Sequence, residues 1–217
     1  MRRSLGFAAA VLSMASLSAS ANLVIGNFEG GVAEPGWGEW GSGVQPFSSI
    51  ITISNEAATL GAGSAKITQA GYDQNLAFGA DFATRQAFLA HDKLLFDVIY
   101  PATTTGGFAQ IFEVAVNSQY GGFVGLNLSG QGVGWGPDGG AAITRTYEYD
   151  YSSGSTNHKA TWLANGLPGW VEIIFATNSD STHGVFYIDN VRLVAIPEPT
   201  SLAGIGVASM LMLRRRK

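Results

Sequence analysis

The 217 residues contain no cysteine, which excludes disulfides and thiolate metal centres as supports for the fold. Charge is scarce as well, at 13% of side chains, and half of the cations stand at the two ends of the chain. Arg2, Arg3, Arg214, Arg215, Arg216 and Lys217 account for six of the 12. Between Asn22 and Ala195 this leaves 15 acidic and six basic side chains, a net of −9. Such a body repels nucleic acid and anionic membrane surface and is compatible with hard divalent cations. Histidine is rare too: His91, His158 and His183 are scattered in expected loops with no zinc-type pairing, and no nucleophile elbow is present. No stretch of the body carries a long 3.6-residue apolar period, so no long amphipathic helix is expected.

What the body does contain is short runs of β-branched and aromatic residues, separated at intervals of roughly ten by glycine, serine, threonine and asparagine. This pattern predicts an all-β sandwich. The 174 residues from Asn22 to Ala195 suffice for one domain with a core of its own. Strands are expected at Leu23 to Glu29, Ser49 to Asn55, Ser64 to Gln69, Asn75 to Asp81, Lys93 to Tyr100, Gln110 to Asn117, Gly122 to Leu128, Ala142 to Tyr149, Trp170 to Asn178 and Val185 to Val194. Phe112 to Asn117 and Thr144 to Tyr149 alternate and should each have one wet face. Leu94 to Tyr100 is nearly apolar throughout, as a central strand would be, and Pro101 closes it. Trp170 and Phe175 are expected in the core.

The two ends differ from the body. Met1-Arg2-Arg3 is a basic n-region, Leu5 to Leu17 an apolar h-region and Ala19-Ser20-Ala21 a small-residue cleavage site, so residues 1–21 read as a secretory signal peptide. At the other end, Pro197 and Pro199 fix φ and remove two backbone donors, which ends the last strand in a short extended linker. Thr200 to Leu213 then runs 14 residues without a charge, about 21 Å as a helix and short of the ~30 Å hydrocarbon core. Four cations stop it, as in a segment held with its basic end in the cytoplasm.

The order Pro197-Glu198-Pro199, short apolar helix, then Arg214-Arg215-Arg216 resembles the PEP-CTERM sorting signal of Gram-negative bacteria. It covers residues 196–217. That resemblance implies recognition and cleavage by an exosortase, an integral-membrane protease, with transient residence in the inner membrane through a short C-terminal transmembrane helix. The cargo would end at the cell surface or in an exopolysaccharide or biofilm matrix. A plain C-terminal membrane anchor is the other reading of the same run.

A second resemblance concerns residues 22–195. Asn27-Phe28-Glu29, the Gly61 to Ile67 segment and Phe186-Tyr187-Ile188-Asp189-Asn190-Val191-Arg192-Leu193 are similar to the galactose-binding-like jelly rolls of several carbohydrate-binding module families. This implies a jelly-roll β-sandwich and, in those modules, a structural Ca2+ between an early carboxylate and the Asp of the closing strand. Glu29 and Asp189 occupy those places, with Glu56 as a further candidate. Asp189 and Asn190 making side-chain turns, with Glu29 solvated, is the alternative.

Sugar recognition in such folds implies aromatic faces for stacking. Trp37 and Trp40 lie in the glycine-rich stretch Gly30 to Pro46, and Trp135 in Gly130 to Gly140; both stretches are expected to be loops, and the three indoles are the candidate ligand-binding residues. Tyr147, Tyr149 and Tyr151 share one face of a strand, either as an exposed platform or as covered core. Glu113, Glu148 and Glu172 could be nominated as a glycosidase pair, but no spacing distinguishes them from solvated strand residues, and no catalytic residue is assigned. The expectation is therefore an exported, non-enzymatic protein that binds polysaccharide. The alternatives are a secreted polysaccharide hydrolase or lyase, and a purely structural matrix component.

Overall fold

The computed structural model describes residues 22–48, 50–69, 75–101, 109–128, 141–179 and 184–196. These belong to one compact unit, Ser20–Ile196. The expected signal peptide, Trp135 and residues 197–217 of the sorting signal, with Pro197, Glu198, Pro199, Arg214, Arg215 and Arg216, lie outside the described residues. Among the described residues no helix is long and apolar enough to cross a membrane.

The described strands are β1 (Leu23–Gly26), β2 (Trp37–Gly41), β3 (Gly43–Gln45), β4 (Ile51–Ser54), β5 (Ser64–Gln69), β6 (Leu76–Gly79), β7 (Lys93–Tyr100), β8 (Ala109–Ser118), β9 (Gly122–Asn127), β10 (Ile143–Asp150), β11 (Val171–Ser179) and β12 (Gly184–Val194). They form two antiparallel sheets. The first has the order β10-β7-β12-β5-β4 with β1 also on β12, and the second the order β3-β2-β6-β11-β8-β9. The sheets meet face to face. Phe96 of β7 stands edge-on to Phe175 of β11 with ring centroids 4.8 Å apart, and Leu94, Val98, Val114, Val116 and Ile173 complete the same core. Each deeply buried Phe or Leu contributes about 2 kcal/mol by transfer from water. With no disulfide available, that burial is what holds the body together.

Most of the expected strands are present, but the glycine-rich stretch Gly30 to Pro46 is not simply a loop. It carries the β2–β3 hairpin, in which Glu39 pairs with Gln45 and Trp40 with Val44. Gly38 has to be glycine because a Cβ there would stand 1.9 Å from the Gln45 carbonyl oxygen. The residue that lets β3 close over β2 is thus the one that made the stretch read as a loop.

Two helices were also not anticipated. α1 (Phe82–Ala90) starts where the Asp81 carboxylate accepts the Thr84 N–H, and α2 (His158–Asn165) where the Asn157 side chain accepts the Ala160 N–H. Nine and eight residues are too few turns to establish a period. Each is anchored by one large ring: Phe88 and Trp162 are fully buried and meet edge-on at 5.9 Å.

Tyr147, Tyr149 and Tyr151 take the covered alternative and all three are core. Trp170 corrects an expectation. It precedes β11 rather than lying within it, and its side chain is 42% exposed.

Candidate functional site

Of the three candidate indoles, Trp37 is not a surface contact. It opens β2 with its ring inside the core, edge-on to Phe28 at 4.8 Å and stacked on Phe175 at 6.0 Å. Its Nε1–H donates to the Ile25 carbonyl at 2.7 Å, so both the apolar body and the polar tip of the side chain are satisfied. Trp40 is half-buried. Three residues on from Trp37 in an extended strand, it belongs to the opposite, outward face of the second sheet.

That outward face can be built from register. Core residues Leu76, Phe78, Val114, Val116, Ile173 and Phe175 point inward, so their neighbours point out. One cross-strand row reads Gly38, Ala77, Ile174, Ala115, Gly125. The row beside it reads Gly79, Glu172, Asn117, Phe123. The row on the other side carries Ala176, Glu113 and Asn127, with Trp40 joined to that end by its N–H bond to the Asn75 carbonyl.

A floor of glycines and alanines with Ile174 at its centre therefore runs across the strands between two rows bearing carboxylates, amides and aromatic rings. Val44 of β3 forms a wall at one edge, lying over Gly38 and Gly79. The floor is tight: Ala77, Ala115 and Ile174 are buried, and the Glu113 carboxylate lies across Gly125. What opens to solvent is the rim, with Phe123 55% exposed. Within it Asn117 Nδ2 donates to Glu172 Oε2 at 3.1 Å. Burial pushes the Glu172 carboxyl above its ordinary range, and the Asn117 bond offsets part of that.

The three nominated carboxylates divide between the two sheets. Glu148 sits on β10 of the first sheet, bonded to Lys93 at 2.5 Å. Glu172 pairs with Asn117, four residues along β8 from Glu113, which is about 13 Å at ~3.3 Å per residue.

Glu29 and Asp189 do converge, on one loop from two sides. Glu29 Oε1 accepts the N–H groups of Ala62 and Gly63 at 2.7 and 3.1 Å. Asp189 Oδ2 accepts those of Thr59 and Leu60 at 2.6 and 2.8 Å, and Oδ1 that of Asn190 at 2.6 Å. Calcium needs six to eight oxygens; here the fully buried Asp189 has both oxygens facing N–H donors, and no group of three acidic or histidine side chains gathers among the described residues. This donor set fits a hydrogen-bonded clasp on the β4–β5 loop and does not fit a calcium centre. Glu56 is elsewhere engaged, with Lys66 and Tyr187.

The clasp extends to Asp97, which lies directly opposite Asp189 on β7. Asp97 accepts hydroxyl bonds from Thr59 at 2.8 Å and Thr146 at 2.6 Å, and an amide bond from Asn190 at 2.9 Å. Burial raises its pKa, but these bonds and the Arg192 charge outweigh it and hold the carboxyl low. For Asp189 burial prevails over the backbone donors and the carboxyl is held high. Asn190 reaches Asp97 because β12 bulges there, with Asn190 at φ 50, a conformation asparagine tolerates.

No family model matches the sequence, and no curated protein does. Solved structures do. The xylan-binding CBM22-1 domain of Paenibacillus barcinonensis Xyn10C is 13% identical over 79% of this chain and 93% of its own, with a TM-score of 0.44. A non-crystalline cellulose specific CBM28 module is 22% identical over 78% and 92%, at 0.47. CBM27-1 of Caldicellulosiruptor saccharolyticus, solved with mannohexaose, is 15% identical over 80% and 97%, at 0.45. The neighbours are carbohydrate-binding modules; the site described above rests on this chain's own residues.

Sequence reasoning missed the outer face of the second sheet. Phe123, Asn117 and Glu172 belong to three different strands, and only pairing makes them neighbours.

Proposed function

We propose that this chain is the precursor of an exported, non-enzymatic jelly-roll sandwich that binds neutral polysaccharide across the outer face of its second sheet. The observation that carries the reading is the cross-strand row Glu172, Asn117, Phe123, whose Phe123 is 55% exposed. An extended sugar chain laid across the strands would meet carboxylate and amide groups able to pair with vicinal hydroxyls, and aromatic rings able to cover its C–H faces. The body's excess of acidic groups favours an uncharged chain over a uronate-rich one. Delivery follows from the two ends: the signal-peptide features take the body across the inner membrane, and the tail hands it to an exosortase for release to the cell surface or matrix of a Gram-negative bacterium.

Affinity electrophoresis of the purified protein in xylan, cellulose derivative and mannan gels tests the binding. Retardation in at least one gel is expected, lost in Phe123→Ala at an unchanged melting temperature. Retardation in none of them sinks the reading, and release of new reducing ends from the polymer would make the protein a hydrolase or lyase instead. For the tail, replacing Pro197, Glu198 and Pro199 with alanine is expected to leave full-length protein in the inner membrane; normal release of that variant would remove the sorting signal.

A further inference from the structure

A cleft lies at the β4 edge of the first sheet, away from the outer face of the second sheet. It encloses about 620 Å³, within the range of small-molecule sites. Glu29, Thr52, Ser54, Asn55, Glu56 and Lys66 line it. β4 ends the sheet, so the cleft opens sideways.

Its chemistry is uneven. Lys66 stands opposite Thr52 in the β4–β5 ladder, and its ammonium is gripped by both Glu56 oxygens at 2.7 Å. From below, the buried Tyr187 hydroxyl donates to Glu56 at 2.6 Å. An ammonium has three hydrogens, so one remains to point outward. On the facing wall, Glu29 Oε1 is held by the loop N–H groups, while among the described residues Oε2 has no partner. Both groups are therefore fixed in place with one hydrogen-bonding position left over, a donor on one wall and an acceptor on the other. The lip is Gly30 and Gly31, at φ +78 and +73, with nothing within 4 Å of where a Cβ would stand.

A ligand for this cleft has to supply both donors and acceptors. An anion meets two carboxylates and a cation meets Lys66 in the same wall, so the neutral, densely hydroxylated case remains. The geometry points to a second carbohydrate site here, taking one or two sugar rings at a chain end, so that a single sandwich holds two glycan strands at separate sites and crosslinks them. The choice of ligand rests on the polysaccharide reading above; the existence of the cleft does not.

The test is a titration of the 15N-labelled protein with xylohexaose, cellohexaose and mannohexaose, one at a time, followed by amide shifts. Two separate groups of shifts are expected, one at Asn117 to Phe123 and one at Gly30, Gly31, Asn55 and Ala62. Glu29→Gln keeps an oxygen for the Ala62 and Gly63 N–H groups while removing the free carboxylate oxygen. It should weaken the second group about tenfold and leave the first unchanged. Thr52→Trp, on an exposed position, should abolish the second group at an unchanged melting temperature. Shifts confined to the sheet face overturn the second site and leave the first. Shifts confined to the cleft do the reverse, and no shift with any of the three sugars overturns both.

Discussion

Acid should unfold this protein earlier than its carboxylates alone would dictate, because of His158. The ring is 2% exposed at the start of α2, faced by Ser118, Gly121 and Trp162. Ser118 Oγ accepts the Trp162 indole N–H and the Gly121 N–H, both at 3.1 Å, which fills its two lone pairs. Its own hydrogen therefore points to His158 Nδ1, 3.2 Å away. Nδ1 is the acceptor, the proton sits on Nε2, and Nε2 is buried without a partner among the described residues. A second proton has nowhere to go without breaking the Ser118 arrangement, and burial pushes the His158 pKa down from 6.5 to about 4. The folded state thus binds this proton less readily than the unfolded chain. The contribution is intact above pH 6.5, falls as the pH drops through the interval down to 4, and stays lost below it. A separation of that size corresponds to about 3 kcal/mol in total, with about 2 kcal/mol already lost at pH 5, against a typical stability of about 5–15 kcal/mol. Urea midpoints measured from pH 8 to 4 on the wild type and on His158→Gln isolate the term, because the carboxylates titrate alike in both. The wild type should lose about 2 kcal/mol more than the variant between pH 7 and 5. Parallel curves would refute the tautomer assignment and the burial argument together.

Three other outcomes follow from the core and the clasp. Trp37→Ala should cost about 3–5 kcal/mol, read as a fall in the urea midpoint; a near-neutral effect would return Trp37 to the surface. Asp189→Ala should strip the Thr59 and Leu60 N–H groups of their acceptor, at about 1 kcal/mol for each hydrogen bond lost, and hydrogen exchange should rise at these two amides first. EDTA should leave the melting temperature where it was; a drop reversed by added calcium would show that Glu29 and Asp189 hold a cation and that the N–H clasp gives way to it.

The amino-acid sequence by itself determined the all-β class of the body. Strand periodicity is local, so Lys93 to Tyr100 or Val185 to Val194 could be read from one stretch of residues, and the absence of cysteine left apolar burial as the means of holding them. Where a local rule was overridden, the cause was a contact far away in sequence. Gly38 reads as a loop residue until the Gln45 carbonyl lies against it. Trp37 reads as a loop tip until Phe28 and Phe175 enclose it, and Trp170 reads as core until β11 starts one residue later. Sequence also placed Glu29 and Asp189 together in one site, but only the folded loop between β4 and β5 shows that backbone N–H groups hold one oxygen of Glu29 and both of Asp189. The sheet face and the β4-edge cleft are tertiary in the same sense: their residues come from separate strands, and pairing register, which no short window of residues encodes, makes each of them a surface.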